Sequence, residues 1–190
     1  MFYPNNVFEM RKIYILWLFI GVSIITMDAC KQKRKKPTNA EVVAYQQHLV
    51  GINQLVVKHF ADSIRNVNEK KQWGLRQSRT GLWYKIYHVG KGDSARLNKV
   101  ATITFQVRLF DGRLCYSTDT TGPKNIIIGR SGMESGLEEG LQYMRVGDSA
   151  LFVLPPHLAH GLIGDQKKIP RMAIISYKII LQGLQSQTEE

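Results

Sequence analysis

Apolar side chains recur three or four residues apart from Val42 onward: Tyr45, Leu49, Ile52, Val56 and Phe60 follow, and Ile64 extends the stripe. That spacing gathers them on one side of a helix, with Gln46, Gln47, Lys58 and Asp62 on the other. Thr38 and Glu41 stand at capping-box separation, so the pattern predicts one amphipathic helix over residues 39–70. Gly51 lies within the stripe region and weakens it slightly. The charged and polar stretch from Asn66 to Thr80 reads as a linker or as a solvated continuation of the helix. From residue 82 the period becomes that of strands. LWYKIYHV (82–89), VATITFQVRL (100–109), NIIIG (125–129), DSALFVLP (148–155) and AIISYKIIL (173–181) are rich in branched and aromatic residues, with Gly90, Gly92, Gly112, Gly129, Gly147 and Gly161 as punctuation. Between Gly132 and Met144, the shared face of Leu137, Leu141 and Met144 predicts one short helix. The expected class is α+β: an antiparallel sheet of about five strands wrapped on a short helix, preceded by a long amphipathic helix. The apolar stripe requires cover, either from the C-terminal domain, from its copy in a homodimer through helix 39–70, or from a partner.

The N-terminal pattern is different. Arg11 and Lys12 precede IYILWLFIGVSIITM (13–27), fifteen residues without a charge, which is short for a membrane span and typical of the core of an export signal. Met10 is an alternative start, since the residues before it add nothing that such a signal needs. Met27-Asp28-Ala29-Cys30 resembles a bacterial lipoprotein box. That resemblance implies a signal peptide over 1–29 and lipid on Cys30, with more than one acyl chain for stable anchoring. An ordinary signal peptide and an uncleaved anchor are the other readings. The expected divisions are then 1–29 leader, 30–38 basic tether, 39–80 helix and linker, 81–183 sheet domain, and 184–190 polar tail.

The chain has 26 Lys and Arg against 15 Asp and Glu, a net charge of +11. Loss of residues 1–29 leaves that balance unchanged, because Arg11 and Lys12 depart with Glu9 and Asp28. The densest run, KQKRKK at 31–36, has no interleaved aromatics on which bases could stack, so it reads as a solvated tether or a contact with anionic lipid. No nucleic-acid partner is expected. With Cys30 acylated, Cys115 has no intrachain partner and is expected to be buried.

Five segments, in order, carry a family resemblance: FDG (110–112), IIIG (126–129), GLEEGLQYMRVGD (136–148), LPPHLAHG (154–161) and IPRMAIISYKIIL (169–181). Over roughly residues 82–181 the chain resembles the FKBP-type peptidyl-prolyl cis-trans isomerases. The resemblance implies an FKBP-like sheet half wrapped around a short helix, with an apolar cavity between them that admits a prolyl ring. It implies no cofactor and no metal, proline-containing polypeptides as clients or an envelope protein as partner, and catalysis without covalent chemistry. The layout of lipobox, helical segment and divergent isomerase domain is also similar to gliding-associated lipoproteins of Bacteroidetes-type bacteria. The expected location is therefore the bacterial cell envelope, lipid-anchored, on the periplasmic side of the outer membrane.

Site residues follow from the resemblance one at a time. Phe105 stands where the family often has a pocket tyrosine, keeping the ring and losing the hydroxyl. Met133 and Glu134 replace a Val-Ile pair: Met133 is expected as a pocket wall, and Glu134 acts through its backbone N–H while its carboxylate points to solvent. His160 falls at a tyrosine that donates to the substrate carbonyl, and it is open to three roles: pocket donor, loop stabiliser or metal ligand. Phe105, Glu134 and His160 are the candidate catalytic residues. Tyr116, Ile128, Met133, Leu137, Ile169 and Tyr177 are the candidate substrate-binding residues, although Ile128 also reads as packing. Tyr116 replaces an aspartate, so the family's acidic contact is expected to be absent, and Leu137 replaces the tryptophan of the pocket floor. Tyr177 replaces a phenylalanine and brings a hydroxyl to the rim.

His157 is expected to be exposed in its turn. It lies three residues from His160, yet no third zinc ligand is legible beside the pair. Lys167, Lys168 and Arg171 near the rim either favour acidic client segments or are solvated loop residues. Two functions remain open: a prolyl isomerase with a weakened site, and a non-catalytic binding or assembly module that keeps the FKBP-like shell.

Overall fold

The computed structural model describes residues 38–186. The expectations for the leader, for Cys30 and the run 31–36, and for residues 187–190 lie outside the described residues. Helix α1 (Asn39–Lys71) begins with the capping box anticipated from the sequence. The Glu41 N–H donates to Thr38 Oγ1 at 3.3 Å, and the Thr38 N–H donates to Glu41 Oε2 at 2.7 Å, so each residue satisfies one orphan donor of the first turn. The helix ends where Gln72 turns left-handed at φ 51°. Asn68 then holds the exit, its side chain accepting from the Leu75 N–H at 2.9 Å and donating to the Leu75 carbonyl at 3.3 Å.

Seven strands follow: β1 (Arg76–Gln77), β2 (Trp83–His88), β3 (Lys99–Leu109), β4 (Leu114–Ser117), β5 (Lys124–Ile127), β6 (Ser149–Leu154) and β7 (Ile175–Ser186). They form one antiparallel sheet in the order β1-β2-β6-β7-β3-β4, with β5 pairing on β3. The strands anticipated as 82–89, 100–109, 125–129, 148–155 and 173–181 are β2, β3, β5, β6 and β7. The short β1 and β4 add to them, and β7 runs on to Ser186. The fold is α+β, as expected. Strand β3 is long enough to pair with β7 along its whole length, with β4 near one end and with β5 near the other.

Helix α2 (Ser135–Gln142) crosses the sheet, and two glycines on one side of it allow the close approach. A Cβ on Gly140 would stand 2.6 Å from the Phe152 ring, and one on Gly136 would stand 2.8 Å from Leu154 Cγ and 3.0 Å from the Leu158 carbonyl oxygen. Leu137, Leu141 and Met144 bury against Ile103, Ile128, Phe152, Leu154, Ile175 and Ile179 to form the principal core. The two acids of the Glu138-Glu139-Gly140 motif tie the helix outward. Glu138 Oε1 accepts from the Ser131 N–H at 2.9 Å and from its hydroxyl at 2.5 Å. Glu139 accepts from the hydroxyls of Tyr143 and Thr80. Asp148, nearly fully buried, accepts from the N–H groups of Gly90 at 2.5 Å and Arg145 at 2.8 Å, which joins the start of β6 to the segment after β2.

Successive side chains of β6 leave opposite faces of the sheet. Ala150, Phe152 and Leu154 enter the principal core, whereas Val153 and the half-buried Leu151 join a second cluster with Ile64, Leu75, Trp83, Ile174 and the half-buried Phe60. From Leu49 onward, α1 belongs to the same compact unit as the sheet. Docking on the C-terminal domain, one of the three covers considered for the stripe, is thus realised at Phe60 and Ile64, while Leu49 and Ile52 stay exposed.

Gly140→Ala tests the contact between α2 and β6. The substitution improves helix propensity by about 1 kcal/mol, but forcing a methyl into the ring of Phe152 costs about 1–3 kcal/mol. The expected result is a net loss of stability, read as a lower denaturation midpoint in urea; an unchanged or raised midpoint would show that the ring moves aside freely.

Candidate functional site

An open cavity of about 610 Å³ lies where the N-terminus of α2 meets the sheet. Six of the nine candidate pocket residues line it: Phe105, Tyr116, Met133, Glu134, His160 and Tyr177. Ile128, Leu137 and Ile169 do not. They are buried and pack in the principal core.

The apolar wall is built from β3 and β7. The rings of Phe105 and Tyr177 lie 5.6 Å apart at 56°, a tilted pair. Phe105 is fixed through its backbone: its N–H donates to Thr118 Oγ1 at 2.8 Å, and its carbonyl accepts from the Thr118 N–H at 2.9 Å. Thr118 is one of the few buried polar residues among those described. Met133 completes this wall, with Lys124 Nζ 3.4 Å from its sulfur.

The polar groups form two sets. Glu134 caps α2 with an extended backbone, φ −60° and ψ 136°, and its carbonyl accepts from the N–H groups of Leu137 and Glu138. Its own N–H has no acceptor among the described residues. The expectation that its carboxylate points to solvent is corrected. The side chain is only 8% exposed, with Oε1 2.8 Å from His160 Nε2, while Oε2 accepts from the Tyr177 hydroxyl at 2.9 Å. Two donors remove the penalty on which that expectation rested. Burial, followed by the neighbouring Glu134 charge, pushes the Tyr177 phenol well above its ordinary range, so the hydroxyl keeps its proton and remains a donor. His160 therefore has one ring nitrogen engaged inside the cavity.

Asp165 anchors the second set. The Tyr116 hydroxyl donates to its Oδ2, and the N–H groups of Lys167 and Ile169 donate to Oδ1 at 2.9 and 2.7 Å. An acid thus stands at this wall beside Tyr116, although Tyr116 itself replaced one. The hydrogen bond to Asp165 pushes the Tyr116 phenol up to about 12. Burial pushes the Asp165 carboxyl up, but the bonds it accepts from Tyr116 and from backbone N–H groups outweigh this and hold it down at about 2. Asp165 accepts from the backbone N–H two residues on, an Asx turn of the kind aspartate favours, which is the local signal for this anchor. The loop residues Thr121, Gly122 and Pro123, together with Lys124, also line the cavity and were missed.

His157 is exposed, with Nε2 3.1 Å from the Thr80 carbonyl oxygen. Cys115 is buried, and burial pushes its thiol up.

Residues 91–182 match the family model described as FKBP-type peptidyl-prolyl cis-trans isomerase. The chain is 30% identical over 94 residues to the FKBP-type peptidyl-prolyl cis-trans isomerase FkpA of Escherichia coli strain K12, an alignment covering 50% of this chain and 34% of that protein. It is 28% identical over 134 residues to a probable FkpA of Neisseria meningitidis serogroup B, covering 66% of this chain and 49% of that one. The chain thus spans about half or less of the length of these curated relatives. Among solved structures, FkpA from Escherichia coli aligns at TM-score 0.58 with 20% identity, over 98% of this chain and 100% of that one. The structure of AtFKBP13 aligns at TM-score 0.54 with 24% identity, over 57% and 97% respectively. At these identities the structural likenesses establish the fold.

A pH titration tests the Asp165 anchor. A carboxylate whose folded pKa is about 2, against an ordinary 3.8, stabilises the fold fully above about pH 4, and that contribution is lost as pH falls towards 2. In Tyr116→Phe the carboxyl loses a donor, so its pKa, followed by NMR, should rise towards the ordinary value. The acid-induced loss of loop order should then begin at higher pH; an unmoved pKa would show that the backbone donors alone hold the carboxylate.

Proposed function

We propose, from the match of residues 91–182 to the FKBP-type peptidyl-prolyl cis-trans isomerase model, that the chain is a member of that family and a prolyl isomerase acting on exported polypeptides, with a weakened site. The observation that carries this reading is the open cavity with ring walls at Phe105 and Tyr177 and an uncommitted N–H at Glu134. Rotation about a prolyl amide is opposed by resonance that stabilises the planar, dipolar form, giving a barrier of about 18–20 kcal/mol for a peptide bond. An apolar wall disfavours that planar form, and a backbone N–H can hold the carbonyl once it has twisted, so no nucleophile is required. Each tenfold in rate needs about 1.4 kcal/mol of preferential binding to the twisted state. In this reading Phe105, Met133 and Tyr177 receive the ring, Glu134 supplies its N–H, and His160 faces the substrate carbonyl.

The weakening follows from the same residues. His160 must share or surrender its bond to Glu134 in order to donate to a substrate. The Glu134 carboxylate also brings polarity into a cavity whose effect depends on desolvation. These features favour the second reading, an FKBP-like binding or assembly module without turnover.

The domain layout completes the proposal: leader 1–29, tether 30–38, helix and linker 39–80, isomerase domain 81–183 and tail 184–190. Cys30 carries the lipid and holds the protein at the periplasmic side of the outer membrane, a reading that rests on the lipobox alone, whereas the FkpA-type relatives support a location in the envelope. The finer assignment to the gliding-associated lipoproteins rests on layout, and pairing of α1 with its copy rests on the uncovered part of its stripe.

A cis-trans assay on a short prolyl peptide decides between the two readings. Measurable turnover below that of a family member with a complete site is expected, and binding without turnover would select the module. His160→Ala should lower kcat/KM several-fold if the imidazole donates. Glu134→Gln, which keeps the N–H and removes the charge, should leave turnover intact or raise it.

A further inference from the structure

We propose that this cavity selects prolyl segments flanked by acidic residues, with Lys124 and Lys167 as the specificity-determining side chains; the inference rests on reading the cavity as a prolyl site. Cations and anions on its wall are used differently. Glu134 and Asp165 are both internally satisfied: all four of their carboxylate oxygens accept or pair within the protein, from Tyr177, His160, Tyr116 and the N–H groups of Lys167 and Ile169. An incoming peptide meets these acids with every carboxylate oxygen already holding at least one partner.

The lysines are the reverse. Lys124 opens β5 and Lys167 follows the Asp165 turn, so the two come from separate segments that both line the cavity. Both are exposed. Among the described residues neither lies within ion-pair distance of a carboxylate; the pairs found there are Arg65 with Asp62 and His160 with Glu134. Lys124 Nζ instead rests against the Met133 sulfur, a weak acceptor that leaves an ammonium unsatisfied. Lys168, next to Lys167 in the chain, holds its ammonium 5.2 Å from the centre of the Tyr116 ring, which lines the cavity. A client side chain next to the proline would therefore leave the apolar wall and arrive among ammonium groups free to take a carboxylate. Lysines that merely keep the loops solvated would show no such preference.

The test compares peptides with one prolyl bond that differ only in having Glu, Ala or Lys beside it, using the full chain, at about 0.01 M and about 1 M salt, where screening lengths are about 30 and 3 Å. Turnover and binding are both recorded. The Glu peptide should exceed the Lys peptide by about threefold to tenfold in kcat/KM, or in affinity if turnover is absent, as expected of one or two exposed charge pairs. High salt should erase the difference. Lys124→Glu combined with Lys167→Glu should reverse the order of the two peptides. Equal handling of the Glu and Lys peptides while the Ala peptide is bound would overturn the acidic preference and leave the prolyl reading standing. Failure to bind any of the three would overturn the prolyl reading, and this inference with it. A preference that survives the double reversal would remove the lysines as its source, and the salt dependence of the native chain stands even if that variant fails to fold.

Discussion

Everything at the cavity depends on how closely α2 can lie against β6. Gly136 and Gly140 face the side chains of Leu154 and Phe152, and a methyl at either position would fall inside van der Waals contact. Side-chain packing of this tightness fixes the height of the helix above the sheet, and the height fixes where its first residue stands. Glu134 precedes the helix, so its N–H and its carboxylate are both placed by two missing methyl groups. The acids at 138 and 139 then keep the helix from sliding, one holding the loop that carries Met133 and the other holding Tyr143 and Thr80.

With that frame set, the cavity combines an apolar lining with polar groups that turn inward. A carboxylate buried in this cavity would be costly without partners, and the Tyr177 hydroxyl and His160 imidazole provide them. Tyr177 thereby acts as both ring wall and donor, and the high pKa of its phenol keeps the donor in place across the physiological range. Thr118 does comparable work for Phe105 through the backbone. The ring wall is thus tied by hydrogen bonds, and the lysine side chains that line the cavity are exposed.

Local pattern made much of the fold legible. The Thr38 and Glu41 pair marked the start of α1, the stripe marked its length, and the branched runs marked the five principal strands. Strand β4 was obscured because LCYS is short and follows a turn, and β1 is only two residues long, held by its pairing with β2. The site was less legible because its polar contacts span the chain. Tyr177 reaches Glu134 across 43 residues, and Tyr116 reaches Asp165 across 49. Position alone suggested that an isolated acid at 134 would avoid burial; nothing local announced the two donors awaiting it. Leu137, placed at the floor by resemblance, packs in the core with Ile128 and Phe152.

The second cluster separates the limits of the family from the limits of folding. Strand β6 is bordered by β2 on one side and covered from behind by Ile64 and Phe60 of α1, yet the family match starts at residue 91, after both. A recombinant piece cut at that boundary would leave β6 as a raw sheet margin, its N–H and C=O groups unmatched and Val153 wetted. Such a piece would be prone to pair edge to edge with its own copies, because it has lost both the β2 neighbour and the α1 cover.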